Sequence, residues 1–278
     1  MTTKRPMPRL LVADLDGTLL HDAASFEERF LTGRCVAAIE RAHDQGIKFA
    51  VSTARPVSTA LPMINRLPVD ACAYLNGALI DTKPSYSDEA MLIGPDTPDD
   101  GHLLRVGFPA SRGCAVCRDL LDAMPGLRLG IVMHDVRYTN FDVRVLWQTQ
   151  SYRLTDFTDV PDGMADKIII LPDASQRDQL AALIPSDFAV SISEGIMWML
   201  SNPRANKGDA LDTLCRRLGV SEHDTVSFGD DTIDIDMLSR SGYGVAVANA
   251  HPELKAIADG ICPSNNDDGV ARWIEALL

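Results

Sequence analysis

Leu10-Leu11-Val12-Ala13 is an unbroken apolar run that stops at Asp14, the pattern of a short strand buried on both faces of a sheet. Val36, Ala38, Ile39 and Ala42 then sit at helical spacing, with Gly46 as the stop signal. A second strand is predicted over Ile47 to Val51, ending at Ser52 and Thr53, and a helix over Val57 to Arg66 between Pro56 and Pro68. A third strand, Ala71 to Leu75, is closed by the turn signal Asn76-Gly77. Strands and helices alternating through short links predict a parallel α/β sheet with right-handed crossovers.

The end of the chain returns to this rhythm. A helix carries Ala210, Leu211, Leu214 and Leu218 up to Gly219, and strands are predicted at Val226 to Phe228 and Gly244 to Ala248. A last helix runs through Val270, Trp273, Ile274 and Leu277. Between these blocks strand-like runs dominate: Leu127 to Met133, Phe141 to Leu146, Lys167 to Leu171, Phe188 to Ile192 and Ile196 to Leu200. Helical spacing occurs at Cys114 to Ala123 and Ser175 to Leu183, and Pro and Asp cluster at Ile93 to Pro98 and near Asn202-Pro203. The predicted class is α/β: a Rossmann-like parallel-sheet core made of residues 1–82 and 203–278, with an α+β domain, 83–202, inserted into it.

Composition narrows the function. With 46% hydrophobic and 23% charged residues, the 278-residue chain is expected to be globular. It has no run near the roughly 20 apolar residues of a membrane span and no visible secretory signal, so a cytoplasmic protein without a membrane partner is expected. A net charge of -13 disfavours nucleic acid and repels any phosphate ester. A phosphate site in such a chain must therefore carry its own positive charge. Six scattered cysteines suit a reduced compartment. Cys114 and Cys117 are spaced as C-x-x-C but lie among Ala115, Val116, Leu120 and Leu121, an apolar helical stripe.

Four features fall at the predicted ends of core strands, where open α/β sheets place ligands. Asp14-Leu15-Asp16-Gly17-Thr18 sets two carboxylates before a glycine turn, able to share a metal and a phosphate; a calcium loop needs a third Asp or Asn before its glycine. Ser52-Thr53-Ala54-Arg55 offers a hydroxyl, backbone amides and a cation, although the same residues could simply start a helix. Lys207 stands in Asn206-Lys207-Gly208. Gly229-Asp230-Asp231-Thr232-Ile233-Asp234-Ile235-Asp236 crowds four carboxylates that repel unless a cation neutralises them, and Ile235 stands where an EF-hand needs glycine.

In this order the set resembles the haloacid-dehalogenase superfamily, whose motifs are D-x-D-G-T, a hydroxyl residue, a lysine and G-D-x-x-x-D. Asn76-Gly77-Ala78, Lys207-Gly208, the stretch Gly229 to Leu238, Gly244 to Ala250 and Asn266-Asp267-Asp268-Gly269-Val270-Ala271 narrow the resemblance to Cof-type phosphatases. The inserted segment matches by position and length as a C2-type cap. The resemblance implies a Mg²⁺-dependent phosphoric monoester hydrolase acting on small phosphorylated metabolites, sugar phosphates first, through an aspartyl phosphate. Asp14 would be the nucleophile and Asp16 the general acid and base. Asp14, Asp230 and the Asp16 carbonyl would hold the metal, Thr53 and Lys207 the phosphate, and Asp234 would orient Lys207 or a metal-bound water.

Two departures stand out: Ile233 replaces the family's usual Asn, and Ala54 replaces a common Gly. Two rival functions share these residues: a phosphomannomutase-like phosphotransferase and a non-catalytic phosphometabolite binder. Phosphate release against sugar-phosphate isomerisation separates the first, and p-nitrophenyl phosphate hydrolysis with Mg²⁺ the second. In the insertion, His134, Asp135, Tyr138, Asn140 and Arg144 read as solvated turns and strand edges rather than substrate ligands.

Overall fold

A computed structural model describes residues 7–94, 101–193 and 195–278. The Pro and Asp cluster expected at the first junction lies mostly outside these residues. The larger sheet has eight strands in the order β16-β15-β14-β1-β2-β3-β4-β5. Its strands are β1 (Leu10–Ala13), β2 (Lys48–Ser52), β3 (Ala71–Tyr74), β4 (Leu79–Asp81), β5 (Leu103–Arg105), β14 (Thr225–Gly229), β15 (Tyr243–Val247) and β16 (Gly260–Cys262). From β16 to β3 neighbours run parallel, and β4 and β5 add antiparallel strands at one edge. β1 and β3 are buried along their whole length because helices cover both faces of a parallel sheet. Those helices are α1 (Gly33–Asp44), α2 (Val57–Ile64), α3 (Glu89–Ile93), α6 (Lys207–Leu218), α7 (Ile235–Arg240), α8 (Pro252–Ile257) and α9 (Gly269–Leu277). α6 ends as its sequence requires, with Gly219 left-handed at φ 67°.

The smaller unit is built on the other plan. Its six-stranded sheet has the order β12-β13-β11-β7-β8-β9, formed by β7 (Arg128–Met133), β8 (Val136–Thr139), β9 (Tyr152–Leu154), β11 (Lys167–Leu171), β12 (Ala189–Ser193) and β13 (Met197–Ser201). All its pairings are antiparallel except β8 with β9. β6 (Phe108–Pro109) and β10 (Met164–Ala165) form a separate two-stranded ribbon. The helices α4 (Ala110–Ala123) and α5 (Arg177–Leu183) complete the unit. Leu129, Ile131, Ile168 and Ile170 share one apolar cluster with Val116, Leu120 and Leu180 of those helices. Val132, Ile169 and Met199 form a second cluster on the opposite face.

Two expectations change. The division placed at residue 83 cuts between β4 and β5, which are hydrogen-bonded neighbours in the large sheet; Leu92 and Leu103 belong to the large apolar core, and the second core starts at Phe108. The apolar spacing of this stretch cannot tell an edge strand of one sheet from the first strand of another. The strand expected over Phe141 to Leu146 is instead a single helical turn, Val143–Val145, capped by Asp142, whose side chain accepts from the Arg144 N–H. Local side-chain capping outcompetes a strand there. Cys114 and Cys117 are free and buried, with burial raising both thiols above their ordinary range.

Candidate active site

β1, β2 and β14 lie side by side and parallel, so their C-terminal ends open at one place. Asp14 follows β1 directly, and the chain then makes a wide turn closed by the Leu20 N–H donating to the Leu15 carbonyl at 2.8 Å. Gly17 sits in it at φ 72°, and a Cβ there would overlap the Asp230 carboxylate. Glycine is thus required twice over, by conformation and by the close approach of the Gly229 loop. Thr18 Oγ1 donates to Asp230 Oδ1 at 2.9 Å, tying the two loops together.

Lys207 enters from the first turn of α6, 1% exposed. Its Nζ lies 2.7 Å from Asp14 Oδ1 and 2.6 Å from Asp234 Oδ1. The other oxygen of Asp234 accepts the backbone N–H groups of Asp230 (3.0 Å) and Asp231 (3.1 Å). One buried carboxylate therefore shapes the acidic loop and aims the lysine. Burial opposes the charge on Lys207, but Asp14 and Asp234 outweigh it and raise its pKa. Burial also raises Asp14, against the pull of Lys207 and with the repulsion of Asp234 and Asp16. Asp230 is raised by burial and by the charges of Asp14 and Asp234.

The carboxylates of Asp14, Asp230 and Asp234 present oxygens within 4.8 Å of one another. Asp234 is committed to Lys207 and two amides, so Asp14 and Asp230 are the pair with oxygens to give. A hard divalent cation fits this all-oxygen set, and its charge would offset the burial that raises both carboxyls.

Asp16 points elsewhere. Arg55 grips its carboxylate through Nε (2.7 Å) and Nη2 (2.6 Å), and Arg29 Nη1 adds a third contact at 3.0 Å. Arg55 is 2% exposed and stacks on Phe26 with its guanidinium carbon 3.9 Å from the ring centroid. The cation offered by the second motif is thus engaged by Asp16. Thr53 lies fully buried at the end of β2, its Oγ1 accepting the Arg55 N–H at 3.0 Å. The structure brings Asp14, Lys207, Asp230 and Asp234 into one contact network, with Asp16 and Thr53 joined through Arg55.

Arg29 and Phe26 gave no signal in the sequence, since they sit in a loop without a motif. The signature at Asn249 and the C-terminal Asn-Asp-Asp-Gly are explained by the loop after Asp16. Asn249 Nδ2 donates to the Gly17 carbonyl (2.8 Å), and Asn265 Nδ2 to that of Leu20 (2.9 Å). Asp268 accepts from Thr32 (2.7 Å) and pairs with His21 (2.9 Å).

A cavity of about 360 Å³ spans from these residues to the smaller sheet. Ile233 lines it, adding apolar surface where a polar side chain was expected, while the turn Thr232–Asp234 stays capped by Asp231. The five insertion residues expected on a solvated surface divide. Asp135 is buried and accepts the Ser58 N–H of the core at 2.6 Å, and Tyr138 joins the apolar cluster. Asn140 holds the backbone of Leu127 and Leu129. Arg144 is exposed and paired with Asp142, and His134 lies in the left-handed turn after β7 at φ 51°. The smaller unit instead lines the cavity with Arg137, Trp147, Gln150 and Lys167.

A family model for haloacid dehalogenase-like hydrolases matches residues 11–95 and 123–274. Phosphoglycolate phosphatase 1 of Saccharolobus solfataricus is 27% identical over 280 residues, covering 98% of this chain and 96% of its own. The HMP-PP phosphatase of Cronobacter sakazakii is 27% identical over 261 residues, covering 90% and 88%. The solved phosphatase BT1666 of Bacteroides thetaiotaomicron shares the fold, with a TM-score of 0.77 at 20% identity over 98% of this chain and 95% of its own. No helix among the described residues is long and apolar enough to cross a membrane. The chain belongs to the haloacid dehalogenase-like hydrolases, in which its strand-end carboxylates and buried lysine form the candidate active site.

Proposed function

We propose that this protein is a Mg²⁺-dependent phosphatase that frees phosphate from a small metabolite through an aspartyl phosphate on Asp14. Phosphoric monoester hydrolysis itself follows from the family and from relatives named as phosphatases along nearly the whole chain. The observation that carries the finer reading is Lys207 held between Asp14 and Asp234 beside Asp230. A carboxylate approaching a phosphate dianion is repelled, and this site supplies a buried cation at the attacking oxygen to offset that repulsion.

Asp14, Asp230 and the Asp16 carbonyl are the proposed metal ligands, and Mg²⁺ bound there would neutralise charge on the transferring phosphoryl group. The Asp14 carboxylate attacks phosphorus in line, the ester P–O bond breaks, and the alkoxide takes a proton from Asp16. Water deprotonated by Asp16 then cleaves the acyl phosphate, restoring Asp14 and releasing inorganic phosphate. Arg55 and Arg29 orient the Asp16 carboxyl at the cavity. Thr53 and Lys207 are assigned to the equatorial phosphate oxygens and Asp234 to positioning Lys207.

A phosphate-release assay over phosphorylated metabolites, with and without Mg²⁺, tests the reading. Metal-dependent release from at least one ester is expected. Isomerisation of a sugar phosphate without net phosphate release would replace it with a mutase.

A further inference from the structure

The wall of the cavity facing Asp14 is one face of the smaller sheet. Because side chains alternate along a strand, β11 turns Ile168 and Ile170 to the helices and Lys167 and Ile169 to the cavity. Val132 of β7 and Met197 of β13 line the same side, with Trp147 beside them. Two positive charges stand in this apolar wall: Lys167 and Arg137.

Lys167 is 7% exposed, yet no described carboxylate lies within ion-pair distance of its Nζ. Its contacts are long ones, 3.4 Å to the Ala54 carbonyl and 3.5 Å to Met199 Sδ. Burial and the repulsion of Arg137 lower its pKa to about 8, while Asp166 and Asp135 act against them. Arg137 has Asp135 at 3.7 Å and its guanidinium carbon 5.7 Å from the Trp147 ring centroid. Gln150, 7% exposed, lines the same cavity, and its Oε1 has no hydrogen-bond partner. Buried polar groups are normally satisfied, so a cation without a close counterion beside an unpaired amide marks a place made for a polar ligand group.

Resting on the phosphatase reading, we propose that Lys167 and Arg137 receive a second anionic group on the leaving group. The substrate class is a phosphomonoester with a compact apolar body and a carboxylate or second phosphate at the end remote from the scissile phosphate. Val132, Ile169 and Trp147 pack the body. A neutral leaving group would leave the lysine buried without a counterion, which is costly.

Phenyl phosphate, 3-carboxyphenyl phosphate and resorcinol bisphosphate test this, since they share one apolar body and similar phenol leaving groups. The wild-type enzyme with Mg²⁺ is expected to favour at least one of the two acids over phenyl phosphate by roughly tenfold in kcat/KM, the worth of a charged hydrogen bond. Whichever acid is favoured tells a carboxylate from a phosphate. Lys167→Met is expected to erase that preference, and Lys167→Arg to keep most of it. No preference in the wild type, or a preference that survives Lys167→Met, overturns the proposal. If none of the three esters is hydrolysed, the phosphatase reading is judged on the metabolite panel alone, and calorimetric binding of the same three compounds decides the anion site. Tighter binding of an acid, lost in Lys167→Met and kept in Lys167→Arg, supports the anion site; equal binding of all three overturns it.

Discussion

The two sheets place their polar side chains by different rules. In the parallel sheet, β1, β2 and β14 are buried almost along their whole length, so the candidate polar groups stand where they stop: Asp14 after β1, Thr53 after β2 and Asp230 after β14. In the antiparallel sheet, alternate residues face opposite sides, so a functional side chain can stand in mid-strand between apolar neighbours, as Arg137 does in β8. Sites of the first kind cluster in sequence as motifs. Those of the second kind look like ordinary strand residues until the facing unit is known. On the proposed reading, the difference separates phosphoryl chemistry in the core from leaving-group selection in the insertion.

The sharpest way to break this division is Asp14→Asn. Turnover should fall by at least on the order of 10⁴ while circular dichroism and the melting transition stay near wild type. Measurable phosphate release at wild-type rates would remove Asp14 as nucleophile. Asp16→Asn should cost on the order of 10²–10⁴ in kcat, read in the same assay; full activity would take Asp16 out of proton transfer.

Ile168→Ala probes the other unit. Ile168 is fully buried in the smaller core, and its loss should destabilise by about 2–5 kcal/mol. Hydrogen exchange should show that loss in β7 and β11 and leave β1 and β14 protected; uniform loss would mean that the units unfold as one. The smallest effect concerns pH. Burial holds the Asp166 carboxyl at about 7, against the pull of Arg105, Lys167 and Arg137 and with the repulsion of Asp135. Its folded pKa exceeds the unfolded value, so this contribution is complete below about pH 4 and is lost as pH rises through about 7. The unfolding free energy of the smaller unit, from urea titrations, should fall over that window by on the order of 1–3 kcal/mol, and Asp166→Asn should flatten the slope. An unchanged slope would assign the pH dependence to other groups.

Arg55 shows where motif reading reaches its limit. Its place after Ser52-Thr53 marks a cation near the phosphate site, but only the structure shows both guanidinium nitrogens turned onto Asp16. Arg29, the third contact on that carboxylate, lies 13 residues beyond it in sequence. Nothing in a loop's composition says which way its side chains turn.

From residue order alone came the alternation of strand and helix, the strand-end carboxylates, the lysine and an insertion between the two halves of the core. The alternation and the insertion depend on local rules (apolar period, glycine turns and helix stops), while the lysine was singled out by the family resemblance. Tertiary structure alone decided that β4 and β5 extend the large sheet, that Asp234 also holds the backbone of the Gly229 loop, and that Lys167 looks into the cavity. Those outcomes depend on which surfaces meet across long stretches of chain, and a buried side chain finds its partner only when the sheets are assembled.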